Sequence, residues 1–254
     1  MARTVLDAGL WMHTSRQYHH ALEVLGGAFA EDPSRVPPLI VKLGGGTAAD
    51  IRATIAENLG PLGTSSIALG QLSPVGELAD DLLRGGAPLD ALRRIRDEGL
   101  VGRFVLETFP WTSAAPLAAL RAGHLDGLVD GFITYDNPLQ RFAANELWDE
   151  LLARDASIIS MRTVCGAPVQ RLRDVPGAAW LPYLQQRAVE VAPVFERSGV
   201  DDWIEFCFRF VRSTPQVVAT VGATSRPEHL DELLTQSRRD DTLPVDVLDE
   251  PWTM

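Results

Sequence analysis

Residues 11–18 read Trp-Met-His-Thr-Ser-Arg-Gln-Tyr, and residues 38–44 read Pro-Leu-Ile-Val-Lys-Leu-Gly. In both stretches a short apolar or β-branched run stops abruptly at a polar or ionisable residue. Buried parallel strands have continuous apolar runs, and the catalytic residues of α/β barrels lie where such strands end. The two stretches therefore predict neighbouring strands whose ends carry His13, Tyr18 and Lys42 at an active-site mouth.

Strands of this kind alternate with helices along the whole chain, at roughly 30-residue spacing. The predicted strands are Leu10–Thr14, Leu39–Leu43, Ser66–Leu72, Phe104–Leu106, Gly131–Tyr135, Ser157–Met161 and Val217–Val221. The alternation predicts an α/β protein with a parallel sheet. Its 254 residues match the usual size of one barrel domain. A closed barrel has eight strands, so we expect a single domain over residues 1–254 with an incomplete TIM (β/α)8-like barrel of seven parallel strands.

The helices are predicted from apolar residues at helical spacing and from capping signals, such as Thr47 followed by Asp50. They are Ala2–Gly9, Tyr18–Ala28, Thr47–Leu59, Pro88–Gly99, Ala115–Ala122, Arg141–Arg154, Val200–Arg212 and Pro227–Leu234. The stretch Ala178–Ser198 is expected to be helical, to be broken at Pro182 and Pro193, and to lie over the barrel mouth. The acidic tail Asp240–Met254 is expected to be loose or bound to the surface.

Composition argues against several classes of protein. A formal net charge of -11 repels phosphate backbones and the basic residues are scattered, so no nucleic-acid partner is expected. No run of about 18 apolar residues occurs and residues 1–10 do not resemble a signal peptide, which predicts a cytoplasmic protein without a membrane partner. Cys165 and Cys207 are expected to be buried, reduced thiols. His13, His19 and His20 are not expected to converge on a metal.

Several motifs recur in an order known from one family. His13-Thr14-Ser15-Arg16-Gln17-Tyr18 precedes Leu25-Gly26, Val41-Lys42 ends a strand, and Leu62-Gly63-Thr64 precedes Gln71-Leu72-Ser73. Ile159-Ser160-Met161-Arg162 and the segment from Phe208 to Leu233 follow. Together they resemble the aldo-keto reductase superfamily, specifically its bacterial sugar-dehydrogenase-like branch. The resemblance implies a (β/α)8 barrel of which this chain lacks the first strand. The strands ending at His13 and Val221 should then pair directly, or a homodimer should cover the open barrel edge.

The resemblance also implies roles for the strand-end residues. In the family a tyrosine gives its proton to a carbonyl oxygen beside a lysine, and these positions are Tyr18 and Lys42. His13 stands at the position of the family's aspartate and Ser73 at that of its histidine. Two alternatives remain for Glu107: it is the counter-ion of Lys42, or it faces solvent.

Cofactor contacts are kept at one end of the family's site only. Glu107-Thr108 and Ile133-Thr134-Tyr135 stand where the family holds the nicotinamide amide with Ser-Asn and Gln. The phosphate end is better preserved, because Gly222, Ala223, Thr224, Ser225 and Arg226 precede a helix start that attracts anions.

These residues lead to three hypotheses for the function. The first is a cofactor-free lyase, dehydratase or isomerase in which Tyr18, Lys42, His13, Glu107 and Ser73 move protons on a small carbonyl or polyol-like substrate. The alternatives are a divergent NADP-dependent oxidoreductase and a non-catalytic binding or regulatory protein. In the enzyme hypotheses, Trp11, Trp111 and Arg162 are expected to line the substrate pocket.

Overall fold

The computed structural model describes residues 1–164 and 181–248. The chain divides into two compact units, Met1–Ile133 with Ala144–Ala156 and Thr134–Ala143 with Ser157–Met254. The single domain predicted from the sequence stays a prediction. Cys165, residues 178–180 of the predicted broken helix and residues 249–254 of the tail lie outside the described residues. Within the two described ranges, no helix combines the length and apolar character needed to cross a membrane.

The first unit contains a parallel sheet of four complete strands and the beginning of a fifth. They are β1 (Met12–Thr14), β2 (Leu39–Gly44), β3 (Ile67–Leu72), β4 (Val101–Glu107) and β5 (Val129–Asn137), which ends in the second unit. Neighbouring strands pair in chain order from β1 to β5, and each pair is parallel. The carboxyl ends of these strands therefore share one edge of the sheet, where barrel enzymes carry their catalytic residues.

Helices connect these strands. Those of the first unit are α1 (Ala2–Asp7), α2 (Ala21–Glu31), α3 (Ala48–Leu62), α4 (Glu77–Arg84), α5 (Ala87–Asp97), α6 (Ala114–Arg121) and α7 (Asn145–Ala153). Helix α4 was not predicted, because it is only two turns long and only Leu78 and Leu82 face the core. Two short 3-10 helices lie at Pro33–Arg35 and Pro110–Thr112.

Local sequence explains how α2 and α3 pack. The capping interaction predicted at Thr47 is confirmed: its Oγ1 accepts from the Asp50 amide at 3.1 Å, and Asp50 Oδ2 accepts from the Thr47 amide at 2.9 Å. Gly26 of α2 lies directly against α3, since a Cβ there would stand 2.0 Å from the Pro61 carbonyl oxygen. Any side chain at this position would force the two helices apart.

The second unit contains the end of β5 with β6 (Gln140–Arg141), β7 (Ser157–Met161) and β8 (Val217–Val221). Strand β6 pairs antiparallel with β5, β7 follows β5 in the sheet, and β8 pairs parallel with β7. Its helices are α8 (Leu181–Arg197), α9 (Trp203–Arg212), α10 (Pro227–Gln236) and α11 (Val245–Leu248). The seven predicted strands are all present, and β7 and β8 have the predicted bounds.

Helix α8 is continuous through Pro193, so the break predicted there is wrong, whereas residues 178–180, on which the break predicted at Pro182 depends, lie outside the described residues. Pro193 leaves the Val189 carbonyl without its helical donor. Val189 is on the exposed face of the helix, where water can satisfy that carbonyl.

In this region the structure corrects one further prediction and decides between two alternatives. Arg141 lies in β6, not at the start of a helix, because the Asn137 side chain accepts from the Leu139 amide at 3.0 Å and turns the chain back. Of the two alternatives for the tail, the described part is bound to the rest of the unit and is not loose. Leu243 and Val247 are buried in one apolar cluster with α8 and α9, and this burial holds residues 243–247 in place.

Candidate active site

Sheet register places four polar side chains on one face of the first unit's sheet. His13 pairs with Ile40, and Lys42 lies two residues further along β2, so both point to the same side. Lys42 in turn pairs with Gln71 of β3. Glu107 lies two residues beyond the β4 residue that pairs with Gln71, and it joins the same face. The carboxyl edge of this sheet therefore brings together residues that are far apart in the sequence.

Lys42 and Glu107 form an ion pair on this face. Lys42 Nζ donates to Glu107 Oε1 at 2.9 Å, and Ser73 Oγ donates to Glu107 Oε2 at 3.0 Å. Their side chains are 19% and 6% exposed, so the attraction between the charges must offset the cost of removing them from water. Of the two alternatives for Glu107, the structure shows the counter-ion of Lys42.

His13 is held by a residue that the sequence did not single out. Its Nε2 lies 2.7 Å from Oε1 of Gln71, a side chain that is completely buried. A carbonyl oxygen only accepts, so Nε2 carries the hydrogen and Nδ1 keeps a lone pair. Burial lowers the pKa of His13; the bond to Gln71 opposes this shift, and the positive charge of Lys42 adds to it. The imidazole is therefore neutral at pH 7.

Tyr18 lies on the loop that follows β1. Its ring centroid is 5.9 Å from that of His13, and the side chain is 40% exposed. The loop is anchored on α3, because the Arg16 amide donates to Asn58 Oδ1 at 3.2 Å while Asn58 Nδ2 donates to the Thr54 carbonyl. The phenol is thus held beside His13 and remains accessible to a small molecule.

Gln71 and Asn58 are the site residues that sequence reasoning missed. Gln71 stands near the end of β3, two residues before Ser73, and strand periodicity would have placed both on one face. Asn58 is a buried polar residue inside an amphipathic helix, which is unusual enough to signal a partner outside that helix.

The predicted phosphate loop, residues 222–226, lies in the second unit before α10. The Arg226 amide donates to Thr224 Oγ1 at 3.1 Å, and Arg226 Nε donates to the Glu228 carboxylate at 2.7 Å. A hydrogen bond from its own backbone amide, together with Arg226, lowers the pKa of Glu228. Arg226 Nε and the Glu228 amide therefore already bind an oxyanion, the Glu228 carboxylate, in the loop where the sequence predicts a phosphate.

The three predicted pocket residues have different surroundings. Trp111 follows β4 at the carboxyl edge and is 62% exposed, whereas Trp11 precedes β1, at the opposite end of that strand, and is 52% exposed. Arg162 follows β7 in the second unit, with its guanidinium 4.5 Å from the Tyr135 ring centroid. Its φ of +52° is unusual for a residue with a side chain, and Asn137 Nδ2 donates to its carbonyl.

The second unit also contains a buried carboxylate that the sequence did not reveal. Asp136 of β5 is completely buried, and the nearest basic atom among the described residues is Arg141 Nε at 3.7 Å. Burial raises the pKa of Asp136 to about 6, against the opposing effect of Arg141. This carboxyl group therefore titrates near neutral pH.

Comparison with known proteins links the fold to one family. No protein-family model and no curated protein sequence matches the chain. Among solved structures, aldo-keto reductase AKR11C1 from Bacillus halodurans in its holo form superposes with a TM-score of 0.69 and 17% identity, over 96% of this chain and 81% of that one. The glycerol dehydrogenase AKR11B4 from Gluconobacter oxydans gives 0.69 and 18%, over 97% and 81%. An aldo/keto reductase from Klebsiella pneumoniae, in complex with NADP and acetate, gives 0.67 and 18%, over 97% and 80%.

These comparisons correct one expectation and confirm another. The expectation that no cofactor is used is wrong, because a protein of the same fold is described in complex with NADP. The expected incomplete (β/α)8-like barrel is confirmed by the strand order and by the superpositions. The chain therefore has the fold of the aldo-keto reductases, and its resemblance to that superfamily is confirmed in three dimensions.

Proposed function

We propose that this protein is an NADP(H)-dependent oxidoreductase that interconverts a small carbonyl compound and the corresponding alcohol. The observation that carries the proposal is the Lys42–Glu107 pair beside His13, with Tyr18 next to that histidine, in a fold shared with reductases. The comparisons favour this oxidoreductase hypothesis over the cofactor-free chemistry expected first.

Tyr18 is the proposed proton donor in reduction and the proton acceptor in oxidation. Its partial exposure allows a carbonyl oxygen to approach the phenol hydroxyl, which general acid catalysis requires. The Lys42 ammonium favours the negative charge that develops on oxygen, and Glu107 holds that ammonium in place. His13 is neutral, so it contributes a hydrogen-bonding group without adding a charge.

The residues at the phosphate end fit the cofactor. When bound, NADP(H) supplies or accepts the hydride. Arg226 and the first turn of α10 would hold one of its phosphates, because Arg226 Nε and the Glu228 amide already bind a carboxylate there. Arg226 and Glu228 are both exposed, so a phosphate can displace the carboxylate at little cost.

The proposal is tested by following NADPH consumption by the purified protein with a panel of small aldehydes. Tyr18→Phe should lower kcat about a hundredfold or more, because it removes the proton donor, and it should leave NADPH binding unchanged. Tyr183→Phe is the matched control, because Tyr183 packs against the apolar cluster of the second unit. Equal turnover by parent and Tyr18→Phe would contradict the proposal, and Tyr18-dependent turnover without NADPH would support the non-redox hypothesis instead.

A further inference from the structure

The pairing between β2 and β3 is interrupted directly after Lys42. Lys42 pairs with Gln71, but the next pair is Gly44 with Leu72. Leu43 is therefore an extra residue on β2, which makes this point a β-bulge. Gly44 has a φ of +74°, a value that residues with side chains rarely adopt. Bulges beside active sites bend the strand and change the direction of the chain that follows.

The bulge helps to hold the backbone of Ser73. The Ser73 amide donates to the Gly44 carbonyl at 2.7 Å, and the Ser73 carbonyl accepts from the Val75 amide at 2.8 Å. The second bond closes a three-residue turn around Pro74, whose ring restricts φ. With its backbone held on both sides, Ser73 directs its hydroxyl at Glu107, where Oγ donates to Oε2 at 3.0 Å.

Gly45 lies against this turn with no space for a side chain. A Cβ there would stand 2.5 Å from the Ser73 carbonyl oxygen and 2.9 Å from a methyl group of Val75. The methyl group can rotate away, but the carbonyl oxygen belongs to the backbone of the turn, so a side chain would displace Ser73. Gly44 and Gly46 have positive φ, whereas Gly45 does not. The close approach, and not the backbone conformation, therefore requires glycine at this position.

We propose that Gly45 is a positioning residue of the active site: it lets the chain after β2 approach the chain after β3, so that Ser73 fixes the Glu107 carboxylate and that carboxylate fixes Lys42. The proposal rests on the proposed function, because it takes the ammonium to stabilise the charge that develops on the substrate oxygen. The ammonium donates to one carboxylate oxygen at 2.9 Å and the hydroxyl to the other at 3.0 Å. A carboxylate held at both oxygens is oriented before the substrate arrives, which favours catalysis.

The kinetic test uses NADPH and the aldehyde that the parent reduces fastest. Ser73→Ala should lower kcat about tenfold, the loss expected for one hydrogen bond to a charged group. Gly45→Ala should lower kcat by a similar factor and leave the KM for NADPH unchanged. Adding Gly45→Ala to Ser73→Ala should cause no further loss, because the glycine acts through the hydroxyl.

Gly27→Ala is the matched control. It adds the same methyl group at a helical position where no described atom, apart from those of its own helix, lies within 4 Å. Its kcat should equal that of the parent. A purely structural effect of Gly45→Ala would lower kcat in the Ser73→Ala background as much as in the parent, and this result would overturn the proposal.

An NMR titration of His13 separates this inference from the proposed function. Besides burial and a hydrogen bond, the charges of Lys42 and Glu107 act on the pKa of His13. Gly45→Ala should shift that pKa in the parent but not in Ser73→Ala. If this pattern is found and no aldehyde is reduced, the positioning role stands and the oxidoreductase proposal fails. If aldehydes are reduced but the shift is the same in both backgrounds, or occurs in neither, the positioning role is overturned and the oxidoreductase proposal stands.

Pro74→Ala is a second variant, and it adds no bulk if Gly45→Ala does not fold. It loosens the turn that holds the Ser73 carbonyl, so it should lower kcat and shift the pKa of His13 in the parent, in both cases by less than Gly45→Ala. Neither effect should appear in Ser73→Ala. Equal effects of Pro74→Ala in the two backgrounds, or none in either, would overturn the positioning role.

Discussion

Lys42 and Glu107 pair across an intervening strand: Lys42 Nζ on β2 donates to Glu107 Oε1 on β4 at 2.9 Å, with β3 between them. Strands two places apart in a sheet are separated by about 9 to 10 Å, so only long side chains can meet over the strand between them. The short Ser73 side chain, in the segment after β3, donates to the second carboxylate oxygen. The pair thus ties together three neighbouring strand ends.

Replacing Glu107 by leucine should destabilise the protein. It leaves the Lys42 ammonium without that carboxylate in a mostly buried site, which should cost about 2 to 4 kcal/mol in the free energy of unfolding. The double variant Lys42→Met, Glu107→Leu should recover much of the loss, because neither charge then remains. Urea unfolding measures all three proteins, and a Glu107→Leu variant as stable as the parent would refute the structural role of the pair.

Gln71 should control the protonation of His13. Gln71→Leu removes a bond that raises the pKa of His13, so the pKa should fall further below its ordinary value of 6.5. Gln71→Glu places a carboxylate beside the ring and should raise the pKa. An NMR titration of the imidazole reports both shifts. The same imidazole pKa in both variants and in the parent would show that the 2.7 Å contact has no electrostatic effect.

The depressed pKa of His13 also predicts how stability changes with pH. The folded protein binds the imidazole proton less tightly than the unfolded chain does. The contribution of His13 to the free energy of unfolding is therefore fully present above pH 6.5. That contribution is lost as the pH falls through the folded-state pKa. The His13→Gln variant keeps a hydrogen-bonding group but has no titrating ring. As the pH is lowered below 6.5, its free energy of unfolding should therefore fall less than that of the parent.

Asp136 should have the opposite pH dependence. Its pKa is raised from 3.8 to about 6, so the folded protein binds this proton more tightly than the unfolded chain does. The contribution to stability is present below pH 3.8 and is lost as the pH rises through 6, a change on the order of 3 kcal/mol. The Asp136→Asn variant has no carboxyl group to ionise at this position. Its free energy of unfolding, relative to that of the parent, should therefore rise as the pH increases from 3.8 to about 6. Parallel stability curves for the two proteins would contradict the assignment.

Glu228 and Arg226 should affect cofactor affinity in opposite directions. Glu228→Gln removes a carboxylate that competes for the donors at the start of α10, so NADPH should bind more tightly. Arg226→Ala removes a charged donor and should weaken NADPH binding about three- to tenfold. Fluorescence titration measures both, with Arg238→Ala as a control for the general loss of positive charge. Unchanged affinity in both variants would show that the loop does not bind the cofactor.

Much of the fold could be predicted from the sequence, because local signals and tertiary structure agree there. β7 and β8 were predicted with their observed bounds, since each is a short β-branched run. α3 was predicted from its start at Thr47, where side chain and backbone satisfy each other. The break at Pro193 in α8 was predicted wrongly because the carbonyl that loses its helical donor is on the exposed face, where it can bind water.

The candidate site could be predicted only in part. Lys42 and Glu107 stand near strand ends and Tyr18 on the loop after one, and hydrophobic patterning reveals where strands end. The bond between His13 and Gln71 could not be predicted, because it depends on how three strands align, and register is a tertiary property. Asp136 was missed for a similar reason: a carboxylate near a turn normally faces water, and its burial depends on tertiary structure.

The most direct test of the proposed function is to supply NADPH deuterated at the transferable hydride position together with benzaldehyde. The oxidoreductase account predicts benzyl alcohol that carries one deuterium on its carbinol carbon, and much less of it from Tyr18→Phe. Benzyl alcohol formed without the label, or Tyr18-dependent turnover of a carbonyl substrate with no label transferred, would contradict it.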